Sequence, residues 1–248
     1  MKRHLAPVAA LLISVSILLT GQGLQGALLP MRATIESFSP IAVGAMGAAY
    51  FLGFTLGCLK AGELVQRVGH VRVFLSMTAL ASAAPLLHGL AVIPLPWGLL
   101  RLVTGFCFAV LYVVIESWLN ERSTNENRGF VFSAYTIINL TVLAVGQMMT
   151  LLYSPSGMQL FAIASVLVSL AAVPIALSVS PSPEVPHAAT VDLPKLLSVS
   201  PTGALGCFVT GLANGAFWSL VPVFTFSVTG DLAAAAGVLT AGGLGGSL

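Results

Sequence analysis

Two uninterrupted stretches constrain this chain more than anything else in it. From Leu5 to Met31, and again from Phe130 to Pro183, there is no Asp, Glu, Lys or Arg. A helix needs about 20 apolar residues to cross the ~30 Å hydrocarbon core of a bilayer, because backbone groups in lipid must be satisfied within the segment. The first stretch is long enough to cross once, the second twice. Composition agrees: 57% of the residues are hydrophobic and 7% are charged, against about a quarter charged in an ordinary soluble chain. Mean hydropathy is +0.98. Most of the surface therefore meets lipid, and an all-α membrane protein is expected.

Other classes fall away on similar grounds. A net charge of +2, scattered along the chain, offers no patch for nucleic acid. Cys58, Cys107 and Cys207 stand far apart in apolar runs, with neither metal-ligand spacing nor a disulfide framework. No cofactor or metal is expected. Lys2-Arg3 followed by an apolar run imitates a signal peptide, but the h-region of such a leader is only about 7–15 residues. Here the run is longer and further spans follow, so it is retained as the first span.

Charge-free windows place spans near Leu5–Leu29, Ile41–Leu64, Val73–Val92, Trp97–Leu119, Phe130–Tyr153, Met158–Ser178 and Thr202–Phe226. Turn chemistry at Tyr153-Ser-Pro-Ser-Gly157 divides the fifth from the sixth, and Ile93-Pro-Leu-Pro-Trp97 divides the third from the fourth. Short connections make these spans antiparallel neighbours. Pro85, Pro174 and Pro222 lie within spans and are expected to kink them. Leu232–Leu248 reads as an interrupted eighth span, and the chain is expected to be C-terminally truncated. The proline-rich stretch from Pro181 to Pro201 is the longest polar connection. The expected organisation is a six-helix bundle over 1–180, a cytoplasmic linker over 181–201, and the start of a second bundle over 202–248.

Orientation follows the basic residues. Lys2, Arg3, Lys60, Arg67, Arg72, Arg122, Arg128 and Lys195 fall on one side, and only Arg32 falls on the other. Cytoplasmic connections carry the excess of Lys and Arg, so the N-terminus is expected in the cytosol. The polar island ESWLNERSTNENRG at 116–129 is then an inner connection, mostly a topological signal.

Two motifs carry a resemblance to a known family. Gly62-Glu-Leu-Val-Gln-Arg67-Val-Gly69-His-Val-Arg72 resembles the inner-loop motif of the major facilitator superfamily, the twelve-span solute transporters. Arg101-Leu-Val-Thr-Gly105 resembles that family's Arg-x-x-x-Gly motif in the fourth span. Gly23–Ala33 and the polar island are similar to the YcaD-like branch, bacterial transporters of largely unassigned substrate. The resemblance implies a six-helix N-terminal half plus the first one to two helices of a C-terminal half, in a bacterial inner membrane. It also implies that Gly62, Gln66, Arg67, Gly69 and Arg72 contribute to an inner gate. Gln66 stands where the family has an aspartate. The glycine-proline motif of antiporters is not apparent in Phe130–Tyr153, which weighs against drug–proton exchange.

Residues at membrane depth supply the remaining candidates. Arg101 is the charge set well inside a span, and an intramembrane ionisable group defaults to a functional hypothesis. It is expected to hold an anionic group of the solute or to couple to protons, with snorkelling to the outer headgroups as the alternative. Gln22 and Gln25 share one face of the first helix. Asn139, Asn214 and Trp218 lie near the middle of the fifth and seventh spans. A cavity lined by the first, fourth, fifth and seventh helices would partner these amides, as interhelical hydrogen bonds also would. Glu116 is expected to pair with Arg67 or Arg72 when an inner gate closes. His88 reads as a bonded core residue. The pairs Gly53/Gly57, Gly211/Gly215 and Gly242/Gly246 read as internal helix packing, so a monomer is expected.

The expected function is alternating-access transport of a small solute, with protons as a candidate coupling partner and efflux as a candidate direction. A non-transporting receptor or sensor is the alternative, although the seventh span has no lysine for a Schiff base. An intramembrane enzyme is the third class, opposed by the lack of paired catalytic groups within the spans.

Overall fold

A computed structural model describes residues 2–178 and 193–245. The expected proline-rich linker therefore lies largely outside the described residues, as do Gly246 and the segment after it. The described helices are α1 (Lys2–Ile35), α2 (Pro40–Val68), α3 (His70–Leu90), α4 (Pro94–Arg122), α5 (Arg128–Met148), α6 (Gln159–Leu170), α7 (Ala172–Ala176), α8 (Leu193–Val199), α9 (Pro201–Thr229) and α10 (Leu232–Gly245). A 3-10 turn over Met149–Leu151 extends α5. Among the described residues 7 helical segments are long and apolar enough to cross a membrane, matching the windows read from the sequence. α9 is the seventh of these, and α10 follows as a shorter apolar helix.

Local chemistry sets the ends. Ser39 and Ser200 each precede a proline at the first helical turn, and their hydroxyls accept from the backbone N–H of Ala42 and Gly203. Proline there forfeits only an N–H that has no intrahelical partner, and serine satisfies one of the others. Gly69 (φ 84°) closes α2 and opens α3, while Gly230 (φ 66°) caps α9. Both are left-handed positions that a side chain would strain. Pro174 acts at a distance: lacking an N–H for Leu170 and crowding its carbonyl, it divides α6 from α7 at Ala171. Pro85 and Pro222 stay inside continuous helices.

Aromatic packing fixes which helix ends lie together. The Trp97 ring stands 5.3 Å from Phe38, 5.2 Å from His88 and 6.4 Å from Phe161. Its indole N–H donates to the carbonyls of His88 and Ala91. The end of α1, the end of α3 and the starts of α4 and α6 thus share one side, which also carries Gly230. Arg32 reinforces that side, binding Glu36 at 2.8 Å and donating to the Pro155 carbonyl at 3.1 Å. On the opposite side, marked by Gly69, His70 Nε2 meets Ser117 Oγ at 3.1 Å. His88 is buried and bonds the Ala84 carbonyl, the bonded core role expected of it.

The most extensive seam joins α2 to α4. Gly53 and Gly57 lie against the carbonyls of Leu102 and Phe106, and Gly105 lies against that of Tyr50. Across α1 and α5, Gly23 faces Leu143 and Gly146 faces Thr20. Helices in lipid gain little from hiding apolar surface, so association rests on close backbone approach, which small residues permit. Gly53 and Gly57 bear out the internal-packing reading. Gly211 has no neighbour within 4 Å of a Cβ position, and its expected packing role is not seen.

α9 and α10 meet the other helices towards the Gly230 side. Ala27 and Met31 cluster with Ala235, Ala236 and Leu239. Gly47 abuts Ser219, and Thr240 Oγ1 donates to Gln147 Oε1 at 3.2 Å. Towards the Gly69 side α9 exposes Leu205, Phe208 and Leu212, while α5 exposes Phe130 and Ile137.

Candidate functional site

Between these contacts lies a cavity of about 400 Å³, within the range of about 300–1,000 Å³ usual for small-molecule sites. α1 contributes Gln22 and Gln25, α2 contributes Tyr50 and Phe54, and α4 contributes Arg101 and Tyr112. α5 adds Gln147, α9 adds Trp218 and Ser219, and α10 adds Leu239. The second span and α10 therefore join the four helices expected from the sequence.

The polar groups form two sets. Gln22 bridges two tyrosines: its Nε2 donates to Tyr50 Oη, and Tyr112 Oη donates to its Oε1, both at 3.0 Å. Gln147 accepts from Thr240, joining α5 to α10. Arg101 lies over the Tyr50 ring, its Cζ 4.1 Å from the centroid, a cation–π contact. Among the described residues no carboxylate lies within ion-pair distance of Arg101, and no Asp or Glu lines the cavity. Gln25 is 3% exposed, and its Nε2 is enclosed without a hydrogen-bond partner. Arg101 also borders a small adjoining pocket with Pro30, Met46 and Trp97, towards the Gly230 side.

Four of the expected solute residues, Arg101, Gln22, Gln25 and Trp218, are thus brought together. The other two are not. Asn214 is exposed, and its amide donates to the Thr210 carbonyl one turn back on α9. Asn139 is half-buried with its Oδ1 enclosed and unpartnered, outside the cavity lining. Tyr50, Tyr112 and Gln147 were missed. Gln147 carried the same signal as Asn139, an amide in a charge-free helix. The tyrosines carried none, because an aromatic at helical spacing reads as core.

The expected gate residues sit on the Gly69 side. Gly62, Gln66 and Arg67 occupy the last turns of α2, Gly69 is the link, and Arg72 opens α3. The expected pairing of Glu116 with Arg67 is not formed. Arg67 Nη2 binds Glu63 Oε1 at 2.8 Å, and Lys60 shares that carboxylate at 3.0 Å. Glu63 lies on the same helix as Arg67, at the i,i+4 spacing that brings side chains together without any movement of helices. Arg72 is exposed. Between this loop and α4, His70 meets Ser117, beside Glu116, and its ring lies 6.3 Å from that of Trp118.

Long apolar helices around an internal polar-lined cavity define a multi-pass integral membrane protein. Residues 11–248 match the model of the Major Facilitator Superfamily, and the chain belongs to that family. It is 28% identical over 227 residues to an uncharacterized MFS-type transporter of Enterobacter sp. (strain 638), and 26% identical over 226 residues to the uncharacterized MFS-type transporter YcaD of Escherichia fergusonii. Each alignment covers 90% of this chain and 59% of the relative, so the chain spans less than two thirds of the relatives' length. Among solved structures it resembles the nucleoside transporter NupG with a TM-score of 0.68 at 11% identity, covering 95% of this chain and 64% of that one. A point mutant of NupG gives 0.69 at 14% identity, covering 89% and 60%. The YcaD-like resemblance and the transporter-type helical fold read from the sequence are borne out.

Proposed function

We propose that the chain forms the larger part of a secondary transporter that moves a small solute through the central cavity by alternating access. The observation that carries this reading is the convergence of Arg101, Gln22, Gln25 and Trp218 on one cavity between the two groups of helices. An intramembrane cation costs roughly 2.5–3.5 kcal/mol on insertion scales, and a solute group offers it a partner. On this reading residues 1–180 are one bundle, 181–201 the linker between halves, and 202–248 the start of the second bundle. The protein is a monomer of a bacterial inner membrane, with protons as a candidate coupling partner.

With the N-terminus in the cytosol, the Gly230 side is outermost. The contacts among Ala27, Met31, Ala235, Ala236 and Leu239 then close the cavity outward, and the arrangement reads as inward-open. The absent Glu116–Arg67 pair agrees with that state. Gln66, Arg67 and Arg72 would act only when the inner side closes.

Two measurements test the proposal. Single cysteines at Ser156 and Glu126, in a background lacking the native thiols, should differ in labelling by a membrane-impermeant maleimide in whole cells. Ser156 is expected to react and Glu126 to stay protected; equal labelling sinks the topology. Proteoliposomes holding the complete protein should show saturable movement of at least one solute from a broad panel. Background rates in both directions for every solute would remove the transport reading.

A further inference from the structure

The hydrogen-bonding capacity of the cavity is lopsided. Three of its side-chain acceptors are engaged: Gln22 Oε1 by Tyr112, Gln147 Oε1 by Thr240, and the Tyr50 oxygen by Gln22. Its strongest donors are not. A guanidinium carries five N–H groups, and Arg101 has no carboxylate within reach among the described residues. Gln25 Nε2 is enclosed, without a partner, in the same lining. An enclosed donor without a partner is costly, and a guanidinium facing the cavity attracts negative charge, so a ligand is favoured in proportion to the acceptors and negative charge it brings.

The charge count sharpens this. Among the described residues one guanidinium and no acidic side chain line the cavity, so a single negative charge is neutralised and a second would stand unpaired. A carboxylate matches the planar fork of arginine with two parallel hydrogen bonds, and the Tyr50 ring lies against the Arg101 head group. Much of the remaining wall is apolar and aromatic: Phe51, Phe54, Phe108, Leu143, Trp218 and Leu239. Such a wall suits a flat ring better than a sugar-like array of hydroxyls.

Resting on the transporter reading of this same cavity, we propose that its solute is an aromatic or similarly flat organic monocarboxylate. The carboxylate binds at Arg101 and Gln25, and the apolar body lies against Phe54, Phe108 and Trp218. Gln22, already committed to both tyrosines, acts as a positioning residue that holds Tyr50 beneath Arg101.

The test compares isosteric acids and amides on the complete protein in detergent. The probes are phenylacetate and indole-3-acetate, their neutral amides, and phenethylamine, measured by equilibrium binding. Each acid is expected to bind at least tenfold more tightly than its amide, with the amine weakest. In Arg101→Gln the acid preference should fall below twofold. Equal or tighter binding of the amides or the amine overturns the proposal, as does failure of both acids to bind. The acid–amide comparison is made on the unsubstituted protein, so it decides the matter even where Arg101→Gln does not fold. Uptake into vesicles separates the two readings. Acids that bind but never cross would sink transport and leave the anion site standing, whereas movement of neutral or cationic solutes alone would do the reverse.

Discussion

Arg101→Ala is expected to lower the proposed transport activity of the complete protein, as kcat/KM, by at least about 30-fold while leaving the bundle folded. The size follows from the pairing proposed for the solute. Truncating one partner of an enclosed, hydrogen-bonded charge pair costs roughly 2–5 kcal/mol. The effect on stability should be far smaller. Arg101 has no carboxylate partner among the described residues to be orphaned by its loss, and its contact with Tyr50 is worth about 0.5–2 kcal/mol. Arg101→Lys keeps the charge but loses the planar fork, so it should recover only part of the rate. Uptake by native, Ala and Lys proteins at matched abundance, with thermal unfolding as a check, decides the point. Unchanged rates for every transported solute would remove Arg101 from the mechanism.

The second large effect is mechanical. Gly53→Ala places a methyl group against the Leu102 carbonyl, where no flexible side chain can move aside. The α2–α4 seam must open, at a cost of roughly 1–3 kcal/mol by comparison with overpacked cores. The change should also reach the cavity, because Tyr50 and Arg101 approach each other from the two helices of that seam. Gly98→Ala is the control: it lies on α4 with nothing within 4 Å, and replacing a helical glycine there should gain roughly 0.5–1 kcal/mol. Melting in detergent should therefore fall for the first variant and hold or rise for the second. Equal melting of the two would mean that the seam yields, contrary to the packing described.

How far the sequence carried the reading depended on what each residue had to violate. The spans were legible because charge is excluded from lipid, and a run such as Phe130–Pro183 leaves no other solvent to choose. Arg101, Gln22 and Gln25 stood out for the same reason, as polar groups at a depth where polarity is costly. Asn139 and Gln147 show the limit. Both are amides on α5, two helical turns apart, and only the rotation of the helix decides that Gln147 meets the cavity and Thr240. Tyr50 and Tyr112 violated nothing, since a phenol sits comfortably in an apolar helix until a partner such as Gln22 gives it a role. Arg67 shows another limit: opposite charge points to Glu116 for a closed gate, while in this arrangement Glu63, the nearer carboxylate along its own helix, holds it. Tertiary distance was needed to choose between them.

The junction of Ala27, Met31, Ala235, Ala236, Leu239, Gly47 and Ser219 has an implication for turnover. Three alanines lie at its buried centre, with Trp218 and Phe226 packed against the cluster, so parting its centre exposes little area, at about 25 cal/mol per Å² in water and less against acyl chains. A lid built from large interlocking side chains would be hard to lift once shut. This one has an alanine-rich centre that parts cheaply, and on the proposed cycle its flanking aromatics, Trp218 and Phe226, are what must come apart.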